Sequence, residues 1–362
     1  QHTMNNLLKH TLILITCLFM GTSYATTHTV DNKEGSAAQF TDLQAAIDAA
    51  QSGDTILVAG STTNYGTVTT RKQLTLIGAG YVGQSSLITR ITFTNLTSNS
   101  GSSNSYMSGF QIGEIYLQPD YSNRVTGVND TLSGITIERN KIGVLHFREA
   151  GDYSTKLHKN LTIKNNIFSG SGTTAIDLSP QFDFAYANAF ENVNITNNIF
   201  DNKHIRSQVS VTESGGVESI QGAESASGIF VRNNIWTSSS SYAFYHIIGA
   251  VVENNIFYNI NIIPESNYIS FDSLEYSLVF NNNITYLTEQ NLTNNSWFAV
   301  GSNNSYEDPQ YVDFPVDGAA FSLDANCEAL SGQPDWLLMR KLALTAFWVL
   351  IEEKRCLRIR MV

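Results

Sequence analysis

Short runs of alternating apolar and polar residues recur along the chain, and each run leads into an asparagine. Six of these runs share the order apolar-x-apolar-x-x-Asn. They are ITIERNKI (135–142), LTIKNNIF (161–168), VNITNNIF (193–200), IFVRNNIW (229–236), AVVENNIF (250–257) and LVFNNNIT (278–285). Because side chains of a strand alternate between two faces, each run predicts a short strand with every second residue inside.

The spacing of these runs predicts a solenoid. The shared asparagines are separated by 26, 32, 36, 21 and 28 residues, and they are Asn140, Asn166, Asn198, Asn234, Asn255 and Asn283. Repeats of this length bury their apolar faces by stacking on one another. Strands that recur once per coil in the same direction pair in parallel. We therefore predict an all-β fold, a single-stranded right-handed parallel β-helix.

The asparagines are predicted to form a structural ladder inside this solenoid. Where the chain bends away from each strand, its backbone amides lose their partners, and buried polar groups must be paired. An inward asparagine can bond to those groups and to the asparagine of the next coil. Asparagine also tolerates the left-handed backbone that such bends require. The other asparagine of each pair is expected to face solvent or to cap the turn.

A leucine-rich repeat is the competing solenoid, because LxLxxNxL is the central part of its motif. LSGITIERNKI (132–142) even supplies the extra upstream leucine. Leucine-rich repeats, however, keep a period of about 20–29 residues with a regular return segment. Two of the five separations here exceed 30. The intervening stretches also alternate in short runs rich in Ser, Thr and Gly, which favours the β-helix.

The N-terminal third predicts a helical cap on this solenoid. FTDLQAAIDAA (40–50) has the period of an amphipathic helix, with Thr41 as its predicted N-cap. The strands GDTILVAG (53–60) and LTLIGAG (74–80) follow. A helix laid across the first coil covers apolar interior and protects the sheet edges.

This opening resembles that of secreted bacterial right-handed β-helix proteins of the pectate-lyase-like superfamily. The resemblance is carried by FTDLQAAIDAAQSGDTILVAGSTTNYG (40–66), KQLTLIGAG (72–80) and the later NNIF coils, and covers roughly residues 36–285. It implies the fold and leaves the activity open, because the superfamily includes lyases, hydrolases, epimerases, adhesins and phage tailspikes.

The chain is predicted to have three segments. Residues 1–25 read as a signal peptide, with a basic start, the apolar TLILITCLFMG and a small-x-small site that predicts cleavage after Ala25. Lipid attachment at Cys17 is disfavoured, because no small residue precedes it. Residues 26–326 form the β-helix, with the cap helix at about 40–50. Residues 327–362 form an atypical tail without asparagine, which fits a cap helix or a frame-shifted end equally well.

The predicted localisation is secreted, periplasmic or cell surface, with no membrane span after the signal peptide is removed. The 21 basic residues are outnumbered by 32 acidic ones, giving a net charge of −11. This balance argues against a nucleic-acid partner. No cysteine lies between residues 26 and 326, so neither a cysteine nucleophile nor a thiolate zinc site is expected there.

Residues 124–206 contain the residues best suited to contact a glycan. This region holds nine Lys/Arg and eight Asp/Glu, whereas 207–332 holds one basic residue and fourteen acidic ones, so an anionic glycan would be repelled less by the first. Candidates for acid, base or charge neutraliser are His146, Arg148, Lys156 and His158. Candidates for substrate binding are Phe182, Phe184, Tyr186, His204 and Arg206.

Known catalytic signatures of β-helical enzymes are missing from the chain. No proline has an arginine three residues away, and the Asn-Thr-Asp, Asp-Asp and Gly-His-Gly motifs of polygalacturonases do not occur. No cofactor is evident and no metal site is predicted; Ca²⁺ would be expected only in a lyase.

Two classes of function therefore remain. The first is a non-catalytic exported protein that presents a polar face to a polysaccharide or cell-surface glycan. The second is a carbohydrate-active enzyme, for which a polysaccharide lyase acting on a uronate-containing glycan is preferred to a glycoside hydrolase. Oligomeric state is left open.

Overall fold

The computed structural model is a parallel β-helix, which confirms the predicted fold class. It describes residues 25–81, 83–95, 101–119, 131–147, 158–178, 190–206, 211–214, 217–220, 228–237, 242–245, 250–260, 278–286, 298–300 and 304. The predicted signal peptide up to residue 24 and the predicted tail 327–362 lie outside these residues. Strands are numbered below in chain order.

The first sheet, sheet A, contains one strand from each coil. In the described residues it has eleven parallel strands, and each is hydrogen-bonded to its neighbours in the adjacent coils. They are β1 (Thr27–Val30), β2 (Thr55–Val58), β4 (Thr75–Gly78), β6 (Tyr106–Ser108), β9 (Thr136–Glu138), β12 (Thr162–Lys164), β16 (Val193–Thr196), β21 (Ile229–Arg232), β24 (Val251–Glu253), β26 (Leu278–Asn281) and β28 (Phe298–Val300).

The second sheet, sheet B, starts as long bent strands and then divides into two arms. The undivided part contains β3 (Thr67–Thr70), β5 (Ser86–Thr94), β7 (Phe110–Gln118) and β10 (Lys141–Phe147). The arm beside the asparagine turns contains β13 (Ile167–Phe168), β17 (Ile199–Asp201), β22 (Ile235–Thr237), β25 (Ile256–Tyr258) and β27 (Ile284–Tyr286). The other arm contains β14 (Thr174–Asp177), β18 (His204–Arg206) and β23 (Phe244–Tyr245).

Two small sheets complete the described strands. A three-stranded parallel sheet, sheet C, contains β8 (Leu132–Ser133), β11 (His158–Lys159) and β15 (Phe190–Glu191). An antiparallel hairpin is formed by β19 (Val211–Ser214) and β20 (Val217–Ile220).

Glycines allow the long strands of sheet B to bend. A Cβ atom at Gly143 in β10 would collide with the carbonyl oxygen of Gly113 in β7, and a Cβ at Gly113 with that of Thr89 in β5. The three backbones therefore pass close to one another where the strands change direction. The bend carries each strand from the asparagine turn round to a second outer face.

The interior is filled by rows of aligned side chains. Sheet A contributes an inner row that runs from Met107 through Ile137 and Ile163 to Phe280, and all four side chains are buried. In sheet B, aromatic rings stack from coil to coil, with centroid distances of 5.0 Å (Phe168–Phe200), 4.3 Å (Phe200–Trp236) and 4.8 Å (Trp236–Phe257). Stacking between aligned rings stabilises the interior beyond the contribution of the apolar area that the rings bury.

Buried asparagines connect consecutive coils at the turn from sheet A to sheet B. Each side-chain amide donates to the side-chain oxygen of the next coil's asparagine, for example from Asn198 Nδ2 to Asn234 Oδ1 at 3.0 Å. The same amide donates to a sheet A carbonyl, here that of Ile163 at 2.9 Å. The residues joined in this way, the asparagine column, are Asn140, Asn166, Asn198, Asn234, Asn255, Asn283 and Asn304.

The residue before each of the first six column asparagines has a left-handed backbone. Its φ lies between 53° and 58° at Arg139, Asn165, Asn197, Asn233, Asn254 and Asn282. The two adjacent residues thus have different roles: the first adopts the turn conformation, and the second places its side chain inside.

The N-terminal helix spans Leu43–Ala49 and covers the first coils with Leu43, Ala46 and Ile47. Its N-cap is Asp42, not the predicted Thr41, because the Asp42 carboxylate accepts a hydrogen bond from the Ala45 amide at 2.7 Å. Lys72 Nζ donates to the carbonyls of Ile47, Asp48 and Ala50 at the other end of the helix. A positive charge at the C-terminal end of a helix is also stabilised by the helix dipole.

Candidate functional site

A row of polar and aromatic side chains crosses the second outer face of sheet B. Paired positions in β7, β10, β14 and β18 align Tyr116, His146, Asp177 and Arg206, one residue from each coil. Their neighbours Ile115, Leu145, Ile176 and Ile205 are buried in the core. Because side chains alternate along a strand, the four aligned residues lie on the outer side of the sheet. We call them the outer-face row.

Asp177 is the centre of this row. His146 Nδ1 lies 3.2 Å from Asp177 Oδ2, and the Arg206 guanidinium donates to both carboxylate oxygens, Nε at 3.3 Å and NH2 at 3.2 Å. Although it is on the outer side, Asp177 is only 2% exposed. The carboxylate is therefore fixed between an imidazole and a guanidinium that remains partly exposed.

Tyr116 continues the row on the other side of His146. The two rings stack with centroids 4.6 Å apart, and the Arg90 guanidinium lies 4.6 Å from the centre of the Tyr116 ring. Arg90 is held by Glu114, whose Oε2 accepts from Arg90 Nε at 2.6 Å. Both faces of the tyrosine ring are thus covered, and the ring is held rigidly beside the histidine.

His204 adjoins the row on strand β18. Its Nε2 lies 3.1 Å from Thr174 Oγ1. Burial, with the charges of Arg206 and Lys203 nearby, lowers the pKa of His204 from 6.5 to about 4. Lys203 itself is fully buried, and its Nζ donates to the carbonyls of Ser171 and Gly172. Burial lowers the pKa of Lys203.

The lowered pKa of His204 predicts an acid-sensitive fold. The folded protein holds this imidazole neutral, whereas the unfolded chain protonates it near pH 6.5, so stability falls as pH drops from about 6.5 towards 4. The full effect is up to about 3 kcal/mol. His204→Gln, which keeps a hydrogen-bonding group beside Thr174, should flatten this part of the profile. Denaturant unfolding at several pH values would measure it; an unchanged profile in the variant would contradict the assignment.

The structure separates the two histidines proposed as catalytic candidates. His146 belongs to the outer-face row, but His158 in β11 is completely buried inside the coil. Its ring stacks on Phe190 at 5.6 Å and meets the edge of Phe147 at 5.0 Å. His158 is therefore not part of the outer-face site. Of the binding candidates, Arg206 lies in the row and His204 beside it.

The remaining predicted site residues fall outside the described part of the chain. They are Arg148, Lys156, Phe182, Phe184 and Tyr186. The sequence analysis did not identify four residues of these features. Tyr116 and Asp177 belong to the row, Arg90 lies beside it, and Asn304 belongs to the asparagine column.

A second charged cluster lies on the outer face of sheet A. Glu138 accepts from Tyr106 Oη at 2.5 Å and pairs with Lys164 Nζ at 2.9 Å and Arg139 at 3.2 Å. Burial opposes ionisation of Glu138, but these partners outweigh it and hold the pKa below its ordinary value. The same face carries an Arg232–Glu253 pair at 3.0 Å. A partly exposed pair such as Arg232–Glu253 contributes little to stability.

Neither a metal cluster nor a membrane-spanning helix occurs in the described ranges. No group of three or more His, Cys, Asp or Glu residues there is arranged to hold a metal ion. The helix found in those ranges is too short to cross a bilayer.

Comparisons with known proteins gave one structural likeness. No protein-family model matches the chain, and the search of curated proteins gave no significant match. Among solved structures, the chain is similar to a mutant pectin methylesterase crystallised with hexasaccharide IV. The two share 14% sequence identity at a TM-score of 0.26, over 78% of this chain and 92% of the other.

Proposed function

We propose that the protein is an exported β-helix protein that binds a glycan through the outer-face row. The observation that carries the proposal is the continuous chain of contacts from Arg90 through Tyr116, His146 and Asp177 to Arg206. These groups belong to five consecutive coils and are fixed before any ligand arrives.

The spacing and rigidity of the row suit a chain of sugars. Neighbouring strands are about 4.8 Å apart, so the row offers a polar or aromatic group at short, regular intervals. Sugar hydroxyls both donate and accept hydrogen bonds, and the row provides the partly exposed guanidinium of Arg206 as a donor and the phenol of Tyr116. Side chains already held by stacking and ion pairs lose little conformational entropy on binding.

The charge of the row fits a neutral or weakly anionic glycan. Arg206 is balanced by Asp177, and Arg90 is balanced by Glu114, so neither sign dominates. Residues 207–332, by contrast, carry fourteen acidic residues and one basic residue. A glycan carboxylate would be repelled less at the row than beside that acidic region.

The test is a binding measurement with the processed full-length protein against a panel of neutral and uronate-containing polysaccharides. Arg206→Gln should weaken binding of any recognised glycan at least about tenfold, equivalent to about 1.4 kcal/mol. Arg232→Gln is the matched control, because Arg232 is also a partly exposed arginine paired with a carboxylate, but on sheet A. Its affinity should be unchanged.

Two results would contradict the proposal. One is the absence of binding across the whole panel. The other is an equal loss of affinity in the Arg206 and Arg232 variants, which would indicate a general charge effect rather than a site.

A second candidate function is that of a carbohydrate-active enzyme, with a polysaccharide lyase preferred. It is favoured by the His146–Asp177 contact, since a carboxylate that orients an imidazole beside an arginine is suited to proton transfer next to a negative charge. A lyase would raise the ultraviolet absorbance of a uronate polymer, with or without added Ca²⁺, and His146→Gln would abolish the rise. A flat signal on every polymer would remove the lyase proposal and leave glycan binding intact.

A further inference from the structure

The first residue of the first coil is held by a buried carboxylate. The amide nitrogen of Thr26 donates to Asp54 Oδ1 at 2.7 Å, and the Thr26 carbonyl accepts from the Thr55 amide at 2.8 Å. The pairing of Thr27–Val30 with Thr55–Val58 begins at the next residue. Ala25, immediately before, is exposed. Thr26 is therefore joined to the second coil through both its nitrogen and its carbonyl.

The surroundings of Asp54 favour its ionised form. It is 3% exposed, and its Oδ2 accepts from the Gln51 amide at 2.7 Å and lies 3.1 Å from His28 Nε2. Burial opposes ionisation, but the hydrogen bonds from Thr26, Gln51 and His28 outweigh it and hold the pKa of Asp54 below its ordinary value. A peptide N–H satisfies one lone pair of such a carboxylate without neutralising its charge.

The sequence places a processing site at the same bond. Ser23-Tyr24-Ala25 is the small-x-small motif that predicts signal-peptide cleavage after Ala25. Hydrolysis of that bond consumes one water: Ala25 leaves with the peptide as a carboxylate, and the Thr26 nitrogen becomes an amine that takes up the one proton the new carboxyl group gives up. An α-amino group has an ordinary pKa of about 7.7–8.0 and is therefore mostly charged at pH 7.

We propose that cleavage between Ala25 and Thr26 creates an α-ammonium that pairs with the Asp54 carboxylate and fastens the first coil. Processing thus completes the structure at its N-terminal end. The freed cation lies within hydrogen-bond distance of a carboxylate that is shielded from water, where such pairs are strongest. An unprocessed chain has only the neutral amide at this position. The inference depends on export and cleavage, but not on glycan binding.

The test compares four proteins that differ at the first residue and at position 54. Full-length chains beginning at Thr26 or one residue earlier at Ala25, each with Asp54 or with Asp54→Asn, are released from a fusion partner by a protease that leaves no extra residue. At pH 7 the Thr26 form should melt about 2 °C or more above the Ala25 form. The difference should disappear with Asp54→Asn. Equal melting temperatures with Asp54 present, or an equal difference in both backgrounds, would overturn the proposal.

Two further measurements apply even if Asp54→Asn fails to fold. Acetylation of the Thr26 amine keeps an N–H donor and removes the charge, so the acetylated chain should melt below the free one; the same melting temperature would contradict the ion pair. The intact mass of protein recovered after export should correspond to a chain that begins at Thr26, and a different first residue would overturn the assignment of the site.

Discussion

Asn198→Gly should lower the free energy of unfolding by about 3–6 kcal/mol, whereas Asn197→Gly should change it by less than about 1 kcal/mol. Asn198 accepts from both the backbone and the side-chain amide of Asn166 and donates to the carbonyl of Ile163. Removing its side chain takes the hydrogen-bond acceptor from the buried Asn166 backbone amide and also removes the bonds to Asn166 Nδ2, Ile163 and Asn234. Each buried group left unsatisfied costs about 1–3 kcal/mol. Asn197 has a φ of 58°, a conformation that glycine adopts freely.

The same substitution at adjacent residues makes the comparison well controlled. Both variants gain backbone freedom in the unfolded chain and both lose an amide, so this contribution is matched. Denaturant unfolding followed by circular dichroism would measure the two free energies. Similar losses at both positions would show that the turn, rather than the inward amide, determines stability.

Trp236→Ala should destabilise the protein by about 3–5 kcal/mol. The indole is completely buried and stacks between Phe200 and Phe257, with centroids 4.3 Å and 4.8 Å away. Removing the indole leaves a cavity in the aromatic stack. Phe200 and Phe257, in the neighbouring coils, each lose a ring contact.

Trp236→Phe is the matched variant for this position. It keeps a ring in the stack and should cost less than half as much as alanine. The free energy of unfolding decides between them: a loss below about 1 kcal/mol for Trp236→Ala would mean that the stack is not part of the stabilising core.

The fold was predictable because one physical requirement repeats in six coils, from Asn140 to Asn283. In each of them, the turn from sheet A to sheet B buries an asparagine amide and has a left-handed residue before it, and this demand leaves the same short pattern in the sequence each time. The helix was predictable from its apolar face, but its first turn was not. Thr41 and Asp42 are both good N-cap residues, and only the backbone shows that Asp42 is the one facing the Ala45 amide.

The outer-face row was hidden because the distance from each asparagine to the row differs between coils. His146 follows Asn140 by six residues, Asp177 follows Asn166 by eleven, and Arg206 follows Asn198 by eight. The break between β13 and β14 lengthens one coil, but Asp177 in that coil still pairs with His146. Coils aligned on their asparagines therefore do not bring these three residues into one column.

The burial of His158 depends on sheet C, which has only two-residue strands. In the sequence, His158 lies between Lys156 and Lys159, in a stretch whose composition is typical of a surface loop. The His158 ring lies between Phe147 and Phe190, which belong to other coils. Short-range sequence patterns do not predict contacts between coils.

The most direct test of the account is hydrogen exchange of asparagine side-chain amides, followed by nuclear magnetic resonance of protein labelled with ¹⁵N at asparagine. If the asparagine column connects the coils, the Nδ2 protons of Asn166, Asn198, Asn234 and Asn255 will persist after that of the exposed Asn282 has exchanged completely. Exchange of all five amides at one common, rapid rate would show that these side chains face solvent, and would contradict the coil-to-coil bonding on which the architecture depends.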